Sequence, residues 1–199
     1  MREFKVTGII SAAGLSERMG SFKPMEEFNG EPFILLIARK MLGVCSKVVV
    51  VTGFKKEIIE ETLKSFIEKS ELETVYNPDY EKGMFVSLKR GIEAAGDFDF
   101  VLYHFVDQPF FEDEFYKLFL RQIEESADWI QPSYKGKAGH PVLISRKICD
   151  EILGGGYNDL RSVRDSDKFS RKYWECGRSE ILLDFDTKRD IEDYKKLRD

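Results

Sequence analysis

Cysteine and histidine are scarce in this sequence, with three cysteines (Cys45, Cys149, Cys176) and two histidines (His104, His140) among 199 residues. The cysteines are odd in number, far apart and never in a Cys-x-x-Cys arrangement, which argues against a disulfide framework and a zinc site. Positive charge is short as well: 31 Lys and Arg face 36 Asp and Glu, a formal net charge of −5. A nucleic-acid binder needs a clustered basic surface to neutralise phosphates, so that partner class is set aside. Long apolar runs are missing too. Phe33 to Ile37 and Val48 to Val51 fall far below the ~20 residues of a spanning helix, so no membrane partner is expected. The opening residues, Met1 to Lys5, lack the apolar core and small-residue cleavage site of a signal peptide, and a cytoplasmic location is expected.

What is present is globular material. The chain is 42% hydrophobic and 13% aromatic, and at this length it can bury roughly 70% of its unfolded surface. Disorder is excluded. The length, with no linker or internal repeat, predicts one domain over residues 1–199.

Apolar β-branched runs alternate with helical periodicity. Val6 to Ala12 reads as a strand ending before Gly14, and Val48 to Thr52 as another ending before Gly53. Between them Pro32 stands at a helix start, followed by Phe33, Leu36, Ile37 and Met41 at helical spacing. The pattern then repeats. Ile59, Leu63, Phe66 and Ile67 mark a helix, Thr74 to Tyr76 a strand, and Leu88, Ile92 and Ala95 a helix. Phe98 to Phe105 is a strand, Phe115, Leu118, Phe119 and Ile123 share a helix face, and Trp129 and Ile130 begin a strand that Pro132 ends. Pro141 to Ile144 reads as a strand, Ile148 to Leu153 as a helix and Leu182 to Phe185 as a last strand. A final helix carries Ile191 and Tyr194. The stretch from Gly154 to Asp167 reads either as a mobile flap or as a plain surface loop. The alternation predicts a three-layer αβα fold with a mostly parallel sheet and ligands beyond the carboxyl ends of its strands.

Function should therefore lie in the loops. The first runs Ala12-Ala13-Gly14-Leu15-Ser16-Glu17-Arg18-Met19-Gly20-Ser21-Phe22-Lys23. It is neither a Walker loop nor a Gly-x-Gly-x-x-Gly fingerprint. Its free N–H groups can cradle phosphate oxygens, and Arg18 and Lys23 add a forked and a compact cation suited to a triphosphate. The bland alternative is a turn with solvated charges. Asp107, in Val106-Asp107-Gln108-Pro109 after a long apolar strand, stands where a carboxylate can hold Mg²⁺ against nucleotide phosphates; the alternative is a cap on the next helix. In Leu183-Asp184-Phe185-Asp186-Thr187 two carboxylates alternate with other residues along a strand, and one of the two is expected to face the site. Asp186 either binds metal or caps the final helix. Asn77 and Ser87 can wrap a nucleoside, and Gly83 precedes a helix whose N–H groups favour an anion. His140, flanked by Gly139 and Pro141, is a ligand contact or a packing residue. His104, inside an apolar strand, reads as structural.

Taken together, Ala12-Ala13-Gly14-x-Ser16-x-Arg18-Met19-Gly20-x-x-Lys23, Asn77-Pro78, Gly83-Met84, Asp107-Gln108-Pro109, Gly139-His140-Pro141-Val142 and Asp184-x-Asp186-Thr187 resemble the MobA-like nucleotidyltransferases. Within that family the pattern is most similar to the molybdenum cofactor cytidylyltransferases, in order and across nearly the whole chain. The resemblance implies a GT-A-like, Rossmann-like α/β fold in which an NTP is used with Mg²⁺ and a phosphorylated acceptor such as molybdopterin attacks its α-phosphate, releasing pyrophosphate. It implies that Ala12, Ala13 and Gly14 contact the nucleotide through backbone, with Gly83, Asn77 and Ser87 nearby. Arg18 and Lys23 would hold the triphosphate, Asp107 the metal, His140 the acceptor side, and Asp186 a second metal or acceptor contact. Ala-Ala-Gly in the first loop and Gln108 after the aspartate lean toward CTP over GTP. A transient contact with a molybdoenzyme or its chaperone is also implied. Val106 replaces a usual glycine, Pro24 to Glu27 depart from the family's usual stretch, and Phe85-Val86 replace small residues, which points to a different acceptor pocket. Two alternatives share these features: a sugar- or alditol-phosphate nucleotidyltransferase, and a non-catalytic nucleotide-binding accessory protein for molybdoenzyme maturation.

Overall fold

A computed structural model describes residues 3–196. The chain begins with β1 (Val6–Ala12), then a small hairpin of β2 (Glu27–Phe28) and β3 (Glu31–Pro32), α1 (Phe33–Leu42), β4 (Lys47–Thr52) and α2 (Lys56–Ile67). It continues with β5 (Leu72–Tyr76), α3 (Met84–Ala94), β6 (Phe100–Phe105), α4 (Asp113–Leu120), β7 (Trp129–Tyr134), β8 (Lys137–Ala138), β9 (Val142–Ser145), α5 (Arg146–Leu153), α6 (Leu160–Arg164), β10 (Arg171–Glu175) and α7 (Lys188–Lys196). Strands other than the β2–β3 hairpin form one sheet in the order β10-β7-β9-β6-β1-β4-β5, with β8 paired to β7. β1 is parallel to both β4 and β6, β4 to β5, and β7 to β10, while β9 runs antiparallel to β6 and β7.

Successive residues of each central strand feed opposite layers, because side chains alternate across the pleat. Ile10, Val48, Val50 and Leu102 pack with Phe33, Ile37 and Met41 of α1, Ile59 and Leu63 of α2, Phe115 and Phe119 of α4, and Tyr194 of α7. Ile9, Val49, Val51, Val101 and Tyr103 pack on the other face with Leu88 and Ile92 of α3, Ile148 and Ile152 of α5, and Val163 of α6. The chain is thus a three-layer αβα sandwich around a mostly parallel sheet. Burying each such side chain contributes about 1.5–3 kcal/mol, so these two apolar layers supply the main driving force for the fold.

Several sequence expectations need correction. Pro132 does not end β7, which continues to Tyr134. β9 stops pairing at Ile130, and Pro132 faces the gap before β8 takes over at Ser133, where its missing N–H leaves no partner bereft. Leu182 to Phe185 is not a strand. A 3₁₀ turn over Ser179–Leu182 leads into extended chain, with Ile181 and Phe185 as buried anchors and Leu182 and Leu183 left exposed between them. The strand missed from sequence is β10, a charged sheet edge of Arg, Lys, Tyr, Trp and Glu that alternates between half-buried and exposed. Within Gly154 to Asp167, Asp159 caps the short α6 by accepting from Ser162 N–H at 2.7 Å, and Val163 is buried, so the stretch is an anchored helix rather than bare loop.

His104 is fully buried in β6. Its Nδ1–H donates to the Phe105 carbonyl at 2.7 Å and its Nε2 accepts from the Tyr116 hydroxyl at 2.8 Å, which fixes the neutral tautomer. Burial pulls its pKa down to about 3. Between pH 3 and 6.5 the unfolded chain therefore binds a proton that the folded chain refuses, so stability falls as pH drops below 6.5. His104 alone costs about 1.4 kcal/mol by pH 5.5. The imidazole Cε1 proton followed by NMR should show no titration above pH 4, and a midpoint near 6.5 would contradict this account.

Candidate active site

β1 leads into α1 and β4 on one side of the sheet, and β6 later returns to its other side, so the chain reverses between β1 and β6. That switch point is where open α/β sheets hold ligands. Ser11 of β1 lies in register with Phe105 of β6, which brings the loops after both strands together. The first loop is shaped by Ser16 and Gly20, both in the left-handed region at φ 60° and 70°, and by the buried Met19 between them. Ser16 Oγ accepts from Lys23 N–H at 3.1 Å and closes the loop on itself.

That closure delivers Lys23. Its side chain is only 10% exposed, and Nζ lies 2.9 Å from Asp186 Oδ1 and 3.3 Å from Asp107 Oδ2. Arg18, largely in solvent, pairs with the other oxygen of Asp186. Asp107 follows β6 directly. Burial pushes its carboxyl pKa up, and the neighbouring Lys23 opposes that shift. Its Oδ1 is buried with no hydrogen-bond partner. Asp107 caps nothing, since α4 begins after Glu112. Nor does Asp186 cap α7: the Thr187 hydroxyl accepts from Asp190 N–H at 3.3 Å, while Asp190 accepts from Thr187 N–H at 2.6 Å, a reciprocal cap. The Asp186 carboxylate is thereby left to Lys23 and Arg18.

A cleft of about 380 Å³ opens beside this cluster. Ala12, Gly14, Leu15, Arg18, Lys23, Gly83, Met84, Ser87 and Asp107 line it, as do Tyr80, Glu81 and Phe105. A Cβ built on Gly14 or Gly83 meets no protein atom within 4 Å, so both glycines leave open space on the cleft wall. Ala13 is buried behind the loop, its carbonyl accepting from Phe54 N–H at 3.2 Å. Asn77 is also set back from the cleft. Its amide donates to Ser87 Oγ at 3.0 Å and its Oδ1 accepts from Asp79 N–H at 3.0 Å, so it orients Ser87 and tightens the turn. His140 lies away from the cleft lining, its ring edge-on to Phe105 with centroids 4.5 Å apart. Burial lowers its pKa to about 4, and its Nδ1 is buried without a partner. Its backbone N–H donates to the Ile181 carbonyl at 3.0 Å; a Cβ on the preceding Gly139 would stand 2.2 Å from that oxygen, so only glycine admits the approach.

The sequence offers Gln108 only as a sign of base preference and Asp184 only as an alternative to Asp186, and gives neither a place in the site. The expectation that one of the two carboxylates faces the site needs correction: residues two apart share a side of extended chain, and both Asp184 and Asp186 stand near Asp107. The Asp184 carboxylate accepts from Gln108 Nε2 at 3.0 Å, and burial followed by the charges of Asp107 and Asp186 raises its pKa to about 6. The signal available was adjacency alone, since Gln108 follows Asp107 and Asp184 precedes Asp186 by two. Among the described residues no group of three His, Cys, Asp or Glu side chains forms a ready-made metal cage. Mg²⁺ needs no such cage; it is usually held by one or two carboxylates plus substrate phosphates. The unpartnered Asp107 Oδ1, with Asp186 across Lys23, fits that mode of binding.

A loop carrying two cations stands opposite carboxylates at the switch point of a mostly parallel sheet, the place where open α/β sheets hold ligands. The sequence matches the MobA-like NTP transferase domain over residues 8–169, and the chain belongs to that family of nucleotidyltransferases. It is 29% identical over 185 residues to the molybdenum cofactor cytidylyltransferase of Escherichia coli, covering 92% of each chain. It is 26% identical to a probable molybdenum cofactor guanylyltransferase of Bacillus cereus, over 80% of this chain and 78% of that one. In three dimensions a nucleotidyl transferase from Methanothermobacter superposes with a TM-score of 0.77 at 20% identity, covering 98% of this chain and 96% of its own, and so shares the fold. No helix among the described residues is long and apolar enough to cross a membrane.

Proposed function

We propose that this chain uses Mg²⁺ to transfer CMP from CTP to a phosphorylated small acceptor of the molybdopterin type, with release of pyrophosphate. The observation that carries the reading is the convergence of Lys23 on Asp107 and Asp186 beside the open wall at Gly14. The similarity to a cytidylyltransferase supports cytosine as the base and molybdopterin as the acceptor class.

In this reaction an acceptor phosphate oxygen forms a bond to the α-phosphorus while the bond to the bridging oxygen breaks, and that oxygen leaves with pyrophosphate. A phosphate monoester is already largely ionised at pH 7, so no general base is needed. The chain's part is alignment and charge neutralisation. The first loop receives the triphosphate on its backbone donors, and Lys23 and Arg18 exchange carboxylate partners for phosphate oxygens. Asp107 and Asp186, released from part of their pairing with Lys23, present oxygens to the cation. Asp107 and Asp186 would hold Mg²⁺, which would neutralise charge on the phosphates. Ser87, held by Asn77, and the apolar walls at Leu15 and Met84 border the nucleoside.

Pyrophosphate release measured with each of the four NTPs, Mg²⁺ and molybdopterin tests the reading. CTP should give the fastest turnover and the largest rise in melting temperature; absence of pyrophosphate with every NTP would reject it. A second check isolates the loop. Gly14→Ala should leave the melting temperature unchanged, because its Cβ meets no protein atom, yet weaken CTP binding by about tenfold through loss of close backbone approach. Calorimetric titration with CTP measures this, and undiminished affinity would remove Gly14 from the nucleotide site.

A further inference from the structure

The end of β6 is joined to the segment before α7 by three hydrogen bonds, two of them from one side chain. Gln108 is fully buried, and its Nε2 donates to the Leu183 carbonyl at 2.9 Å and to Asp184 Oδ1 at 3.0 Å. The third bond runs from Phe185 N–H to the Asp107 carbonyl at 2.9 Å. Gln108 Oε1 is buried with no partner, so the donor half of the amide alone sets its orientation. Like charge works against this junction, because Asp107, Asp184 and Asp186 are neighbours that repel one another. Lys23 pairs with Asp107 and Asp186, and the hydrogen bond to Asp184 comes from Gln108. A neutral amide supplies two donors without cancelling the negative charge that a divalent cation needs.

We infer that Gln108 is a positioning residue: one amide group clamps Leu183 and Asp184 onto the end of β6 and keeps Asp184 and Asp186 turned toward Asp107. The role rests on the proposed use of a divalent cation at these carboxylates. Gln108 touches neither nucleotide nor cation and acts through the segment it holds.

Gln108→Met keeps the length of the side chain and removes its donors. Titration of the nucleotide-free protein with Mn²⁺, followed by the EPR signal of the free ion, should show binding about tenfold weaker, the scale expected when a hydrogen bond behind a metal ligand is lost. The Mg²⁺ concentration for half-maximal pyrophosphate release should rise in parallel, with KM for CTP within about twofold of wild type. Asp184→Ala, which removes one carboxylate from a cluster of like charges, should reproduce the weaker Mn²⁺ binding. The two changes combined should weaken it by less than the product of their separate effects. Unchanged Mn²⁺ affinity in Gln108→Met, or fully independent effects in the double variant, overturns the inference. Mn²⁺ binding that depends on Gln108 in a protein releasing no pyrophosphate from any NTP supports the inference and overturns the proposed reaction instead.

Discussion

Asp107→Asn should lower turnover about a thousandfold, the scale of losing a principal charge-stabilising contact in the transition state, while leaving the melting temperature unchanged or slightly higher. The two halves of that expectation share one cause. Burial raises the Asp107 pKa, so the ionised carboxylate is less stable in the folded protein than in water. An amide of the same shape removes that cost, and Lys23 keeps its 2.9 Å contact with Asp186. Stability gained where activity is lost is the signature of a group retained for chemistry. Steady-state pyrophosphate release and a thermal melt, run on the same preparation, measure both. Turnover near that of wild type would remove Asp107 from the catalytic machinery.

Lys23→Ala should behave in the opposite way and lose both stability and affinity. Its ammonium is nearly buried and bridges two carboxylates that would otherwise repel each other. Breaking a buried pair by deleting one partner costs about 3–5 kcal/mol, and the partial exposure of Asp107 and Asp186 brings the expected cost toward about 2–3 kcal/mol. For a chain of this size each kcal/mol shifts the melting temperature by about 2–4 °C. CTP affinity should fall by about 10- to 100-fold as a phosphate contact is lost. Adding Asp107→Asn to Lys23→Ala should recover part of the melting temperature and none of the activity, because the carboxylate stranded by the first change is neutralised by the second. A double variant that melts no higher than Lys23→Ala alone would show that the 3.3 Å Lys23–Asp107 contact carries no stability.

Much of the architecture was legible in the sequence. The consecutive β-branched residues of β4 and the apolar run of β6 can only be strands buried on both faces. The spacing of Phe33, Leu36, Ile37 and Met41 can only present one helical face, so the αβα class followed from periodicity. Edges and junctions were harder to read. β10 is half solvent-facing and charged, so its composition resembles a surface loop, and only pairing with β7 makes it a strand. The apolar letters of Leu182 to Phe185 imitate a strand because two anchors, Ile181 and Phe185, flank residues that stay exposed. Pro132 was read by its usual effect on a ladder, and the gap between β9 and β8 removed that effect.

At the site, the first loop and Asp107 stood out locally, because glycines, two cations and a carboxylate after an apolar strand are short-range patterns. Their convergence was not local. Lys23 and Asp186 are 163 positions apart yet lie within hydrogen-bonding distance. Asn77 looked like a ligand contact, but its amide is spent on Ser87 and Asp79, a use that depends on where α3 packs.

The sequence by itself determined which apolar core segments become helix and strand and which residue types are available for phosphate chemistry, because hydrophobic periodicity and turn chemistry act over a few residues. Only the tertiary structure decided which carboxylate meets which cation, that Thr187 rather than Asp186 caps α7, and that Gln108 ties Asp184 to the end of β6. Those pairings depend on loops brought together by sheet order, and electrostatic energy depends on separation in space and on burial, neither of which is written in the distance along the chain.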